Sequence, residues 1–159
     1  MSRARILVAI GALLVLGAVN YSILGKESVK REGVVVYLDL APRDPRSIMQ
    51  GDYMTLRFRL AQDILSTVKP LPSEGATDLA PVNVSNEKVG SLARAGEAGD
   101  VRIRYRVRKG EIWLGTNAFF FEEGEDARYA SARYGEFRVH PTSGEAVLVG
   151  LRDAALAPL

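Results

Sequence analysis

Between residues 44 and 53 the sequence gathers Asp44, Arg46, Ser47, Asp52 and Tyr53, two carboxylates, a guanidinium and two hydroxyls. Held between two strands, such a set could bind a polar ligand or a peptide of a partner. The same residues also suit a structural turn, with Asp44 paired to Arg46 across Pro45 and Asp52 accepting from backbone amides beside Gly51. A second set follows Phe119-Phe120-Phe121, where Glu122 and Glu123 end an aromatic run. A carboxylate there could stand over a pocket, and a buried Glu123 would need Arg133 and Tyr134 as partners. The two glutamates could equally serve the dipole of a following helix. The third set is the row Arg102, Arg104, Arg106 and Arg108. On one face of an extended strand these lie about 6.8 Å apart over about 20 Å. Such a row suits lipid phosphates or an acidic partner, or else a solvated sheet face matched by neighbouring acids such as Glu111.

Most enzyme signatures are missing. The only histidine is His140, just before a turn, so a histidine metal site or a Ser/His triad has little to stand on. The absence of cysteine excludes thiol catalysis, disulfides and cysteine-ligated metals. No glycine-rich phosphate or dinucleotide loop has the required spacing. Ser47 with Lys69 could form a Ser/Lys hydrolase pair, but no apolar setting surrounds the lysine. No metal or cofactor is implied. The enzymatic alternative is a hydrolase or ligand-binding site built around Asp44, Ser47, Asp52 and Glu123.

These residues need a scaffold, and the scaffold begins with a membrane segment. Residues 6–24 carry no charge and are rich in Ile, Leu, Val, Ala and Gly. As a helix they are about 28 Å long, enough for a hydrocarbon core of about 30 Å. Arg3 and Arg5 precede them, which favours a cytoplasmic tail over residues 1–5. Lys26, Lys30 and Arg31 on the far side compete, but so short a tail can hardly hold a folded unit. A cleaved signal peptide has a shorter apolar middle and a small-x-small site, for which Asn20-Tyr21-Ser22-Ile23-Leu24 is a poor match. The expected organisation is a tail over 1–5, a bilayer anchor over 6–24, a connector over 25–32 and an exported domain over 33–159. Of the 21 basic and 19 acidic residues, only Arg3 and Arg5 lie before the connector, so the remainder holds 19 of each. A neutral domain lacks the basic footprint that nucleic-acid binding requires.

The exported part is expected to be mainly β: an antiparallel sandwich or barrel-like domain with one or two short helices. Lys26 to Glu32 can continue the span as helix. Val34 to Leu40 is β-branched and reads as a strand. Pro42 and Pro45 break it into a loop. A second strand from Gly51 alternates Met54, Leu56, Phe58 and Leu60 against Thr55, Arg57 and Arg59. Ala61 to Val68 suits a short helix ended by Lys69-Pro70. Residues 73–99 read as a long loop, with Val82 to Val84 at most an edge strand. Val101 to Arg108 alternates without fault, and Lys109-Gly110 turns it into Glu111 to Gly115. Ala118 to Phe121 extends this or begins another strand. Glu125 to Tyr134 suits a helix followed by Gly135, and Glu136 to His140 with Glu145 to Leu151 forms a hairpin.

The segment Gly51-Asp52-Tyr53-Met54-Thr55-Leu56-Arg57-Phe58 resembles the signature of the bacterial GDYXXLXY protein family. So do Leu40-Ala41-Pro42 and Asp44-Pro45-Arg46-Ser47 before it, and Phe119 to Gly124 and Ala132 to Val139 later. Phe58 departs from the family's final Tyr, which keeps the ring and removes the hydroxyl. The family has no established activity. The resemblance implies a single-pass protein of the bacterial inner membrane with its bulk in the periplasm. It also makes a multi-pass membrane-protein partner an expectation.

Overall fold

The computed structural model describes residues 3–41 and 53–159, with the side chains of residues 3–6 and Ala9 left aside. One helix, α1 (Arg3–Glu32), runs through the apolar segment and the polar connector without a break. Its stretch Ile10–Glu32 is long and apolar enough to cross a membrane. Leu13, Leu14, Leu16, Val19 and Leu24 are exposed, and no other described element covers them.

Only Gly33 separates α1 from the first strand. β1 (Val34–Asp39) alternates Val36 and Leu38 inward, as its β-branched run requires. The burial period expected beyond residue 53 is present: Met54, Leu56 and Phe58 are buried while Thr55 and Arg57 are exposed. The ladder is shorter than that pattern, however. β2 (Tyr53–Thr55) ends early, and Arg59 already opens α2 (Arg59–Thr67), so Leu60 reaches the core from a helix. Leu60 and Ile64, one turn apart, form the buried stripe of α2. That helix packs on β1 and on two later strands.

The supposed long loop over 73–99 holds β3 (Thr77–Val84) and β4 (Val89–Leu92). β3 lies inside the sheet, and the sequence hides it because small residues do the packing. Ala80 and Val82 point inward. Gly90 of β4 lies so close to its neighbours that a Cβ would meet Val36 Cγ1 at 2.6 Å and Leu38 Cδ2 at 3.0 Å. Pro81 accepts a bond from the Ala93 amide, just past the last residue of β4, where no ladder needs a proline N–H.

β5 (Val101–Arg108) and β6 (Glu111–Trp113) form the expected hairpin, with Lys109 and Gly110 both at positive φ (51° and 73°). β7 (Ala118–Phe120) is a separate strand that pairs with β2. The helix expected over 125–134 shrinks to the single turn α3 (Asp126–Tyr129). Arg133 already donates its amide to the Arg152 carbonyl, and Tyr134 opens β8 (Tyr134–Val139). Gly135 is therefore a strand residue, and its missing side chain makes room for Phe58. β9 (Ala146–Arg152) completes the hairpin.

The seven-stranded sheet runs β6-β5-β3-β4-β1-β8-β9, antiparallel except between β1 and β4, and β2-β7 forms a separate ribbon. Its ends curl toward each other into a half-barrel. The Arg104 amide in β5 donates to the Gly144 carbonyl in the β8–β9 turn at 2.7 Å. The core holds Val36, Leu38, Val82, Ile103, Val107, Phe137 and Val139 with Met54, Leu56, Phe58 and Ile64. Phe58 meets Phe137 edge-on at 5.1 Å between ring centroids. Because the Gly90 neighbours are buried side chains, Gly90→Ala is expected to cost about 1–3 kcal/mol by overpacking. Denaturant unfolding of the full chain in detergent checks this; an unchanged midpoint would place Gly90 outside the packed layer.

Candidate functional site

The alternation of β5 decides the site. Ile103, Tyr105 and Val107 enter the core, which forces Arg102, Arg104, Arg106 and Arg108 onto the opposite, exposed face. Acids on the neighbouring strands were one expectation for this row. The register gives otherwise: Arg102, Arg104 and Arg106 lie opposite Pro81, Leu79 and Thr77 of β3. Arg108 lies opposite Glu111 in β6, yet no ion pair among the described residues involves any of the four arginines. Arg108 instead places its guanidinium 5.0 Å from the centre of the Trp113 ring.

Three of these arginines line a cleft of about 710 Å³ that also takes in β7, the start of β9 and the C-terminal part of α1. Its charged lining is Lys26, Arg104, Arg106 and Arg108 against Glu145 alone. Lys26 Nζ stands 2.7 Å from Glu145 Oε1, in a largely exposed pair. Trp113, Phe119 and Phe120 supply an aromatic wall, and Phe120 is 73% exposed. The cleft can therefore hold an anionic group beside apolar matter. Cationic charge is concentrated here although the domain as a whole is balanced.

On the inner side of β5, Tyr105 is buried opposite Asp78. Burial, and then the charge and hydrogen bond of Asp78, push its phenol above the ordinary tyrosine range. A raised folded value means stability that is complete below about pH 10 and is lost as pH climbs beyond.

A carboxylate that the sequence reading overlooked is fixed elsewhere. Glu136, 8% exposed, receives Nε and Nη2 of Arg152 at 2.8 and 2.5 Å. The guanidinium also lies 5.8 Å from the Tyr37 ring centre, and a bulge separates Glu136 from Phe137. Both donors converge on one oxygen, Glu136 Oε2, so this charge-assisted pair clamps the hairpin. The signal was a lone acid between Gly135 and Phe137 in an apolar strand, which calls for a cation on the strand beside it.

The residues singled out from sequence do not assemble. Asp44, Arg46, Ser47, Gly51 and Asp52 lie outside the described residues. Tyr53 is half-buried, its ring 5.6 Å from that of Phe120. Glu122 and Glu123 are exposed, as is Arg133, while Tyr134 is half-buried. No side-chain hydrogen bond joins Glu123 to Arg133 or Tyr134 among the described residues. Tyr129 packs against Phe119 and Phe121 at 5.1 and 5.3 Å, which turns the aromatic run into a small core of its own. Lys69 is exposed. His140 accepts from the amides of Thr142 and Ser143 through Nδ1, so it serves the turn.

Two measurements follow. Arg152→Met strands a buried carboxylate and is expected to cost about 2–3 kcal/mol, with Glu136→Gln/Arg152→Met less damaged than the sum of the single changes. Additive losses in that unfolding cycle would mean the two side chains are not coupled. Tyr105→Phe is expected to lose less stability than wild type as pH rises above about 10, the ordinary tyrosine value. Parallel alkaline limbs in the two proteins would rule out Tyr105 as the titrating group.

No curated protein and no solved structure matches the chain. The family model of the GDYXXLXY protein matches residues 15–151. Of the signature positions that the structure describes, Leu56 and Phe58 are core residues and Tyr53 packs on the β7 ribbon, so this part of the motif encodes packing. With most of its length matched, from within α1 to the end of β9, the chain belongs to the GDYXXLXY protein family.

Proposed function

We propose that the chain is a single-pass protein of the bacterial inner membrane whose periplasmic β domain binds or stabilises a membrane-protein partner. Residues 1–5 form the cytoplasmic tail, 6–24 the span, 25–32 the emerging helix and 33–159 the domain. One observation carries the reading. An apolar helix with exposed side chains passes into a folded β domain through a single residue. Exposed Leu and Val side chains around a whole helix cost free energy in water and none in lipid. Arg3 and Arg5 favour the cytoplasmic side for the short end.

The domain's described acids and its histidine are exposed or engaged in turns and clamps, which favours binding over catalysis. A protein held this close to the bilayer can reach partners only within a shallow layer above it. Integral proteins are the natural occupants of that layer.

Photocrosslinking in native membranes tests this. A photoreactive residue at Leu13 probes the span, and one at Phe120 probes the cleft rim. Adducts from both positions to one and the same integral protein are expected. Adducts to the chain alone would count against a partner. Recovery of the full chain in the supernatant after alkaline carbonate washing would refute the anchor itself.

A further inference from the structure

We infer that the cleft beneath the β5 arginines is a binding site for anionic phospholipid headgroups of the leaflet from which α1 emerges. The inference rests on α1 spanning the membrane and adds a ligand to that reading. Height is the first argument. Lys26 follows Leu24, the end of the apolar run, by two residues, or about 3 Å of helix rise. The polar layer on each side of the hydrocarbon core is roughly 5–7 Å deep. Lys26 therefore lies at phosphate level, and it forms one wall of the cleft.

Connectivity carries the arginines to the same place. Lys26 holds Glu145, and the preceding residue, Gly144, takes the Arg104 amide through its carbonyl. β5 is thereby tied, at Arg104, to the turn that Lys26 holds, with Arg106 and Arg108 following along the strand.

Charge and shape agree. The described lining has four cations and one carboxylate, and the strand residues opposite Arg104 and Arg106 are neutral: Leu79, Thr77 and Trp113. A phosphate diester between Arg104 and Arg106 would meet charge that the protein itself leaves uncompensated among the described residues, with Lys26, already paired with Glu145, at its edge. Phe120 at the rim and Trp113 beneath Arg108 give the glycerol and upper acyl region an aromatic surface, as side chains at bilayer interfaces do.

Trp113 is the chain's single tryptophan, so its fluorescence reports on the cleft directly. The full chain is reconstituted into phosphatidylcholine nanodiscs with increasing phosphatidylglycerol. Trp113 emission is expected to change in a saturable, salt-sensitive way. Arg104→Gln and Arg106→Gln should each raise the half-maximal phosphatidylglycerol fraction about five-fold, with circular dichroism unchanged, and Arg104→Lys should retain most of the response. A flat titration with the chain still in the disc overturns the headgroup site and leaves the anchor standing. Identical titrations for wild type and the Gln variants also overturn it. A flat titration combined with loss of the Phe120 adduct in the Gln variants assigns the arginine row to an acidic protein surface instead. Elution of the chain apart from the discs overturns the spanning reading on which the site rests.

Discussion

The arrangement depends on how α1 joins the sheet. Gly33 is the only residue between helix and strand, and its amide still donates to the Val29 carbonyl at 2.9 Å. Val29 is buried, Arg138 reaches the Gly33 carbonyl, and Lys26 is tied to Glu145 across the hairpin. A flexible linker would let the domain wander over a wide volume. Here the direction of α1 fixes the direction of β1, and β1 pairs with both β4 and β8. The strands of the seven-stranded sheet are thereby set relative to the helix.

From that junction the remaining packing follows. A seven-stranded sheet with one apolar face must bury it, and this one curls over Met54, Leu56, Phe58 and the Leu60–Ile64 stripe of α2. Of the family signature's described positions, Leu56 and Phe58 therefore fill the concave side. The outer face is left to polar work, and it divides in two. Around Tyr37 the charges are paired, with Glu136 buried and Arg152 half-buried. Along β5 they are exposed and, among the described residues, unmatched. Structural charge and available charge occupy different regions of one sheet.

Much of the fold was legible. The strands over 34–39, 101–108 and 146–152 carry strong period-two or β-branched patterns, and the turn expected at Lys109-Gly110 is present. β3 and β4 were not, because Ala80, Pro81 and Gly90 give no apolar alternation and the packing that explains them is tertiary. Acids before Tyr129 and Gly135 after it mimicked a helix. The demand of Phe58 for space beside Gly135 is a contact across the fold that no local window contains. For the site, the arginine row was visible as a pattern, but its neutral opposite neighbours depended on a β3 pairing that the sequence concealed. Glu136 was passed over although its hairpin was legible, because its cation, Arg152, stands one residue beyond the expected end of the second strand.

The C-terminal residues bear on solubility. Past β9 the chain doubles back, with Pro158 bridging to Arg152 and the Leu159 amide bonding the Leu151 carbonyl. That return covers part of an otherwise open sheet margin with a residue that has no amide hydrogen to offer a newcomer. At the opposite margin β6 is only three residues long. Both ends of the described seven-stranded sheet thus offer a second copy little free backbone on which to add a strand.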